Sequence, residues 1–235
     1  MRVAGLALAL AILALPVQGE VGNAPGPEFQ IEFSNPGLTP AHWTLTLHPD
    51  GSGHFRSERG GAPGDGLDGR VERIEVPDVD REIRLDAEFA ERIFQSARLH
   101  RQSKAECESH LKVAFQGWKK LRLTGPDGEW GCEFNYSKDK EIQALGESLL
   151  AVAGTILEGA RIEVLLRHDR LGLDSETEYM VEAVGDGRMQ QIGVIREILE
   201  RLADDPTVME RARRRARVLL EGAGKGDHGR GTGGK

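Results

Sequence analysis

The sequence has only two cysteines, Cys107 and Cys132, and no Cys-x-x-Cys pair, so the turn that activates a thiol in dithiol oxidoreductases is missing. It also lacks an apolar run long enough for a membrane span. The run from Val3 to Leu15 covers roughly 13 residues, and a spanning helix needs about 20. No Gly-x-Ser-x-Gly elbow occurs, and no Ser-x-x-Lys falls inside a predicted helix, which leaves serine nucleophiles without their usual local setting. The glycines at 60, 61, 64, 66 and 69 are not followed by a Lys-Ser or Lys-Thr pair, so they do not form a phosphate cradle. None of the seven histidines sits in a recognisable catalytic motif.

What is present is a chain of 235 residues, 39% hydrophobic and 29% charged, the composition of a folded soluble protein. Its formal net charge of −7 argues against nucleic acid as the main partner. Met1 and Arg2, the apolar run behind them, and Val17 and Gly19 before Glu20 read as a secretory leader over residues 1–19. Export implies a periplasmic or extracellular location. In that setting Cys107 and Cys132 are expected to form one structural disulfide, and the closed loop contributes about 3 to 4 kcal/mol by chain entropy.

Gly22, Pro25, Gly26 and Pro27 mark residues 20–28 as a linker. Alternation predicts strands around Phe29–Phe33, Trp43–Leu47, Phe55, Ile74–Val76, Ile83–Leu85, Leu111–Phe115, Leu121–Leu123 and Trp130–Tyr136. The stretch from Glu58 to Arg70 is expected to be a mobile loop because so many glycines are costly to order. Asp86 and Ser137 are the expected caps of two helices, whose stripes begin at Phe89 and Ile142. The two Pro-Asp-Gly turns, at 49–51 and 126–128, raise the idea of a strand-turn-strand-helix unit present twice. From Gly159 onward the apolar spacing is helical. A break is expected at Leu171-Gly172-Leu173 with Asp174 as cap, and a last helix is expected to start at Asp205-Pro206.

The expected fold is therefore α+β. An antiparallel sheet with helices on one face spans residues 29–158, a helical subdomain spans 159–221, and residues 222–235 form a disordered glycine-rich tail.

Few residues suggest chemistry. His100, Cys107, His110 and Cys132 carry zinc-type donors, but the spacing lacks a second matched pair, and the disulfide is the preferred reading. Asp169, Asp174 and Glu176 miss the calcium-loop spacing. No metal, cofactor or catalytic residue is assigned. Trp118, beside a predicted turn, is a candidate anchor for a partner, with folding back over the sheet edge an equal alternative. Arg211, Arg214 and Arg215, in a run with Arg213 and Arg217, are candidates for an acidic partner or peripheral anionic membrane contact. Pairing with Glu200, Glu210 or Glu221 on a solvated helix face is the plainer reading. Asn135-Tyr136-Ser137 matches a glycosylation acceptor, relevant only in a eukaryotic secretory pathway.

The leading expectation is an exported, non-catalytic protein that binds a macromolecule or envelope component. The alternatives are a hydrolase whose site is assembled only by the fold, and an envelope-associated protein using the arginine helix.

Overall fold

The computed structural model describes residues 26–58, 77–101, 106–126 and 128–224. The expected leader, the glycine-rich loop, Ile74 with Val76, and the tail beyond residue 224 lie outside these residues.

Strict alternation of apolar and polar residues gives six strands: β1 (Glu28–Ser34), β2 (His42–Leu47), β3 (Ser52–Glu58), β4 (Asp80–Arg84), β5 (Trp118–Thr124) and β6 (Trp130–Phe134). They form one antiparallel sheet in the order β4-β3-β2-β1-β5-β6. Phe29, Ile31, Trp43, Phe55, Leu121 and Phe134 all face the same buried side. The opposite side is polar. One row across all six strands reads Glu133, Lys120, Glu32, Thr44, Arg56, Asp80, so unlike charges meet on neighbouring strands, an arrangement that favours the register in water. Apart from Trp118 at the start of β5, the aromatic residues of the sheet thus lie on its buried side.

The buried side is covered by α1 (Ala87–Arg101) and α2 (Lys140–His168). Asp86 caps α1 as expected, its Oδ1 accepting from the Glu88 and Phe89 amides at 2.8 and 3.3 Å. The cap of α2 is Asp139 rather than Ser137. Asp139 Oδ1 accepts from Glu141 and Ile142 at 2.9 and 3.3 Å, while the buried Ser137 hydroxyl accepts the Asp139 amide at 3.2 Å. Aspartate beside the first free amides also meets the positive end of the helix, which serine cannot match. The strand expected at Leu111–Phe115 is absent, as described below. The two hairpin-and-helix units are unequal: four strands precede α1 and two lie between α1 and α2.

Beyond the sheet, α2 continues into a helical half made of α3 (Gly172–Gly185), a 3₁₀ turn (Ile192–Ile195), α4 (Arg196–Asp204) and α5 (Glu210–Gly224). Its buried residues form a second core, beginning at Ile162 on α2 itself. The expected change of subdomain at 158/159 falls inside α2, a 29-residue helix that serves both cores. Arg81 to Glu163 at 3.0 Å and the Asp86 amide to Gln191 Oε1 at 2.7 Å tie the two halves. The break between α2 and α3 is made by Asp169, whose Oδ1 takes the Leu171 and Gly172 amides, and Asp174 lies within α3. Asp205-Pro206 forms a turn, with Asp205 accepting from Thr207 and Val208, and α5 starts only at Glu210. It runs to Gly224, into the segment expected as tail.

Between α2 and α3, burial and the neighbouring Glu176 carboxyl push Glu158 up to about 9, against the pull of Arg161. Glu158 Oε1 is buried with no hydrogen-bond partner. The folded protein therefore holds a proton there that the unfolded chain releases near 4.5. The associated stability is complete below 4.5 and is lost progressively as pH rises to about 9. Urea denaturation from pH 5 to 9 is expected to show wild-type stability falling, and Glu158→Gln, which needs no proton, is expected to flatten that decline.

Candidate binding site

The segment between α1 and β5 is the unusual part of the molecule. Cys107 and Cys132 are joined in a disulfide with S–S 2.04 Å, which fixes the segment to the buried side of β6. Next to it, Glu108 acts as a clamp. Its Oε2 accepts the Asn135 amide at 2.6 Å and the Tyr136 amide at 3.5 Å, and its Oε1 accepts the His110 amide at 3.0 Å. Burial opposes ionisation here, but these amides and the Ser109 hydroxyl outweigh it and hold Glu108 below the usual carboxylate range.

From there the chain departs from the strand expected at Leu111–Phe115. Ser109 donates to the Tyr136 carbonyl, beyond the end of β6, and His110 turns the chain with a left-handed φ of 53°. The arm thus crosses the end of the β5–β6 pair and has no strand beside it. Its backbone is held instead by local bonds. The Leu111 amide bonds Ser109 Oγ, the Val113 amide closes a three-residue turn on the Leu111 carbonyl, and the Gln116 amide bonds Asn135 Oδ1 at 2.7 Å.

The arm re-enters the sheet at Gly117. Its φ of 107° suits glycine alone, and a Cβ there would collide with the Phe33 ring. Lys119 then points into the core with 0% exposure, and its Nζ donates to the Gly117 and Asn135 carbonyls at 3.2 and 2.7 Å. Burial lowers the Lys119 ammonium, with Glu147 and Glu108 pulling it back up. Gly146 on α2 leaves the room this side chain occupies, since a Cβ there would lie 3.1 Å from Lys119 Cδ. Sequence reading missed both Glu108 and Lys119. Lys119 was detectable, because it shares the inward phase of Leu121 and Leu123.

Between these anchors every residue from 110 to 116 is exposed. Four of the ten large apolar side chains exposed among the described residues fall within 111–118: Leu111 at 50%, Val113 at 40%, Phe115 at 51% and Trp118 at 41%. The Phe115 and Trp118 rings meet edge to face, with centroids 6.3 Å apart. Trp118, the candidate anchor, is thus exposed and packed on Phe115, in a segment of exposed apolar side chains carried on a held backbone.

The arginine helix keeps the expected solvated face at Arg211, Arg214 and Arg217, but two of its arginines also reach α3. Arg211 Nε and Arg215 both reach Asp174 on α3, at 2.5 and 2.8 Å, and Arg215 also reaches Glu178 at 3.2 Å. Asp174 is only 15% exposed, so these pairs dock α5 onto α3. Arg213 and Arg217 pair with Glu210, one of the expected partners, whereas Glu200 pairs with Arg196. Of the three arginines singled out, only Arg214 is without an ion pair among the described residues.

The donors considered for zinc are separated. The two sulfurs bond each other, His100 Nε2 faces the Asp139 cap at 3.2 Å and His110 Nε2 faces Glu106 at 2.7 Å. Burial would raise the Asp139 carboxyl, but the Ile142 and Glu141 amides and His100 together hold it low. Asp169 is occupied by amides and Asp174 by arginines, while Glu176 meets Arg161 at 2.6 Å. Ser137 and Lys140 do have Ser-x-x-Lys spacing where α2 begins, but Ser137 is buried and bound to the Asp139 amide. An open hollow of about 370 Å3 between α2 and α4 is lined by Leu166, Arg167, Arg170, Arg201 and Asp205, with no nucleophile among them.

No protein-family model matches the chain, and no curated protein matches it. The geometry of the molecule therefore carries the functional argument.

Glu108→Gln is expected to release the root of the arm. Losing a charged acceptor for backbone amides costs about 1 to 2 kcal/mol locally, read as roughly tenfold faster hydrogen exchange at Asn135 and Tyr136. The wild type is expected to loosen in the same way in acid, because the contribution of a lowered carboxylate is complete above 4.5 and fades as pH falls through its folded value. For α5, Arg215→Gln is expected to cost about 1 to 2 kcal/mol in denaturant unfolding, while Arg214→Gln leaves stability within about 0.5 kcal/mol.

Proposed function

We propose that this chain is an exported, non-catalytic protein that binds a macromolecule or envelope component through the arm at residues 111–118, with Phe115 and Trp118 as its anchors. One observation carries the reading. Apolar side chains are held out in water by a disulfide, a carboxylate clamp and a buried lysine, although leaving such groups exposed forgoes burial energy. Contiguous exposed apolar surface marks interaction sites, and a backbone ordered in advance reduces the entropy lost on binding.

The location follows the same line. The disulfide is compatible with an oxidising compartment, and no helix among the described residues is long and apolar enough to cross a membrane. The arginine helix is a weaker candidate for envelope contact, because Arg211 and Arg215 are already paired with Asp174.

A photo-crosslinking residue placed at Phe115 in the exporting cell tests the proposal, with the same residue at Val218, an exposed apolar position on α5, as reference. One dominant adduct from position 115, weakened at least tenfold by Trp118→Ser and missing from position 218, is the expected outcome. Equal labelling from both positions would show that the arm is not the binding surface. Reproducible turnover of a hydrolysable substrate by the pure protein would end the non-catalytic reading.

A further inference from the structure

We infer that the arm docks onto an anionic lipid surface, an inference that rests on the arm being the binding site. The first argument is charge. The chain has 38 acidic residues in 235, yet none lies between Ser109 and Pro126, where Lys112, Lys120 and Arg122 are exposed and Lys119 is buried. Lys112 stands on the arm between Leu111 and Val113, exposed and without an ion pair among the described residues. Lys120 and Arg122 follow Trp118 along the same open face of β5, beginning about 7 Å away. Glu32 and Glu133 flank Lys120 in register, whereas Arg122 faces the uncharged Gln30 and Gly131, with Glu28 and Glu32 only diagonal to it, and makes no ion pair among the described residues. Anionic lipid attracts such juxtaposed lysine and arginine, and tryptophan and phenylalanine settle at headgroup level.

The second argument is the backbone. The Lys112, Ala114 and Phe115 amides find no acceptor among the described residues. A dry protein groove would strand them, and a partner strand would need a regular ladder that the turn from Val113 to Leu111 interrupts. The hydrated headgroup layer leaves those amides wet while taking up the side chains. Insertion is therefore shallow, since the hydrocarbon core excludes irregular backbone exposed to lipid.

The protein supplies its own probe. Of its three tryptophans, Trp43 and Trp130 are buried and Trp118 is exposed, so a change in emission on docking reports Trp118. The full oxidised chain recovered after export is mixed with vesicles of equal phosphatidylcholine and phosphatidylglycerol, and separately with pure phosphatidylcholine. The expected result is flotation and a blue shift with the anionic vesicles, weakened by salt. Lys112→Gln is expected to reduce affinity roughly fivefold. Phe115→Ser, checked for intact near-ultraviolet dichroism, is expected to abolish flotation, and Val218→Ser to leave it unchanged. Equal binding to both vesicle types would overturn the role of charge, and unchanged binding by Phe115→Ser the role of the arm. No flotation at all would overturn the lipid inference. If a protein adduct still formed at position 115 in cells, the broader binding proposal would survive that result, and if none formed, both would fall.

Discussion

The sheet has one apolar face, and that face must be taken out of water. α1 and the first half of α2 do this, and most else follows from it. Because the aromatic residues of β1, β2, β3 and β6 point under the helices, the other face is free to carry rows of alternating charge. Because α2 is long enough to pass beyond the sheet, its far half becomes the first wall of a second core. The helical half is thus an extension of the cover, fixed by a continuous helix and by Arg81 and Gln191.

The edge of that cover is where the arm originates. α1 ends at Arg101, and the chain must return to start β5 beside β1. It does so past the end of the last hairpin, where no strand can receive it, and side chains replace the missing ladder. Glu108, Asn135 and Lys119 satisfy backbone groups that a neighbouring strand would otherwise have paired. Polar groups are consumed inward and apolar ones are left outward, the reverse of the usual arrangement, and this inversion is what the proposed binding role of the segment rests on.

Much of the fold was legible in the sequence, for reasons that can be named. Phe29, Ile31 and Phe33, or Trp130, Cys132 and Phe134, alternate because one side of each strand is buried, and Asp86 caps where a carboxylate can meet free amides. The same logic misread Leu111, Val113 and Phe115: their alternation is that of a half-buried strand, but strand formation needs a neighbour, and that is a property of topology. Ser137 was the expected cap of the second helix, but Asp139, two residues on, holds the first free amides, a choice set by which side chain the packing of α2 leaves beside them. Asp174 looked like a cap and is an ion-pair partner for a helix some forty residues on, a separation that no local pattern records. For the candidate site, Trp118 was visible, whereas the clamp that presents it was not, because Glu108 and Asn135 meet only once β6 is in place.

The position of β1 bears on how the chain assembles. It comes first in the described sequence yet lies inside the sheet, between β2 and β5. A chain emerging from its N-terminus can complete the β1–β4 meander early, but the far side of β1 has no partner until Trp118–Thr124 has appeared. During that interval an unsatisfied strand border is available to any passing polypeptide. Glu28 and Glu32 sit along that border, and two like charges on so short a strand discourage pairing with another copy of itself until Lys120 and Arg122 of β5 arrive to fill the gap.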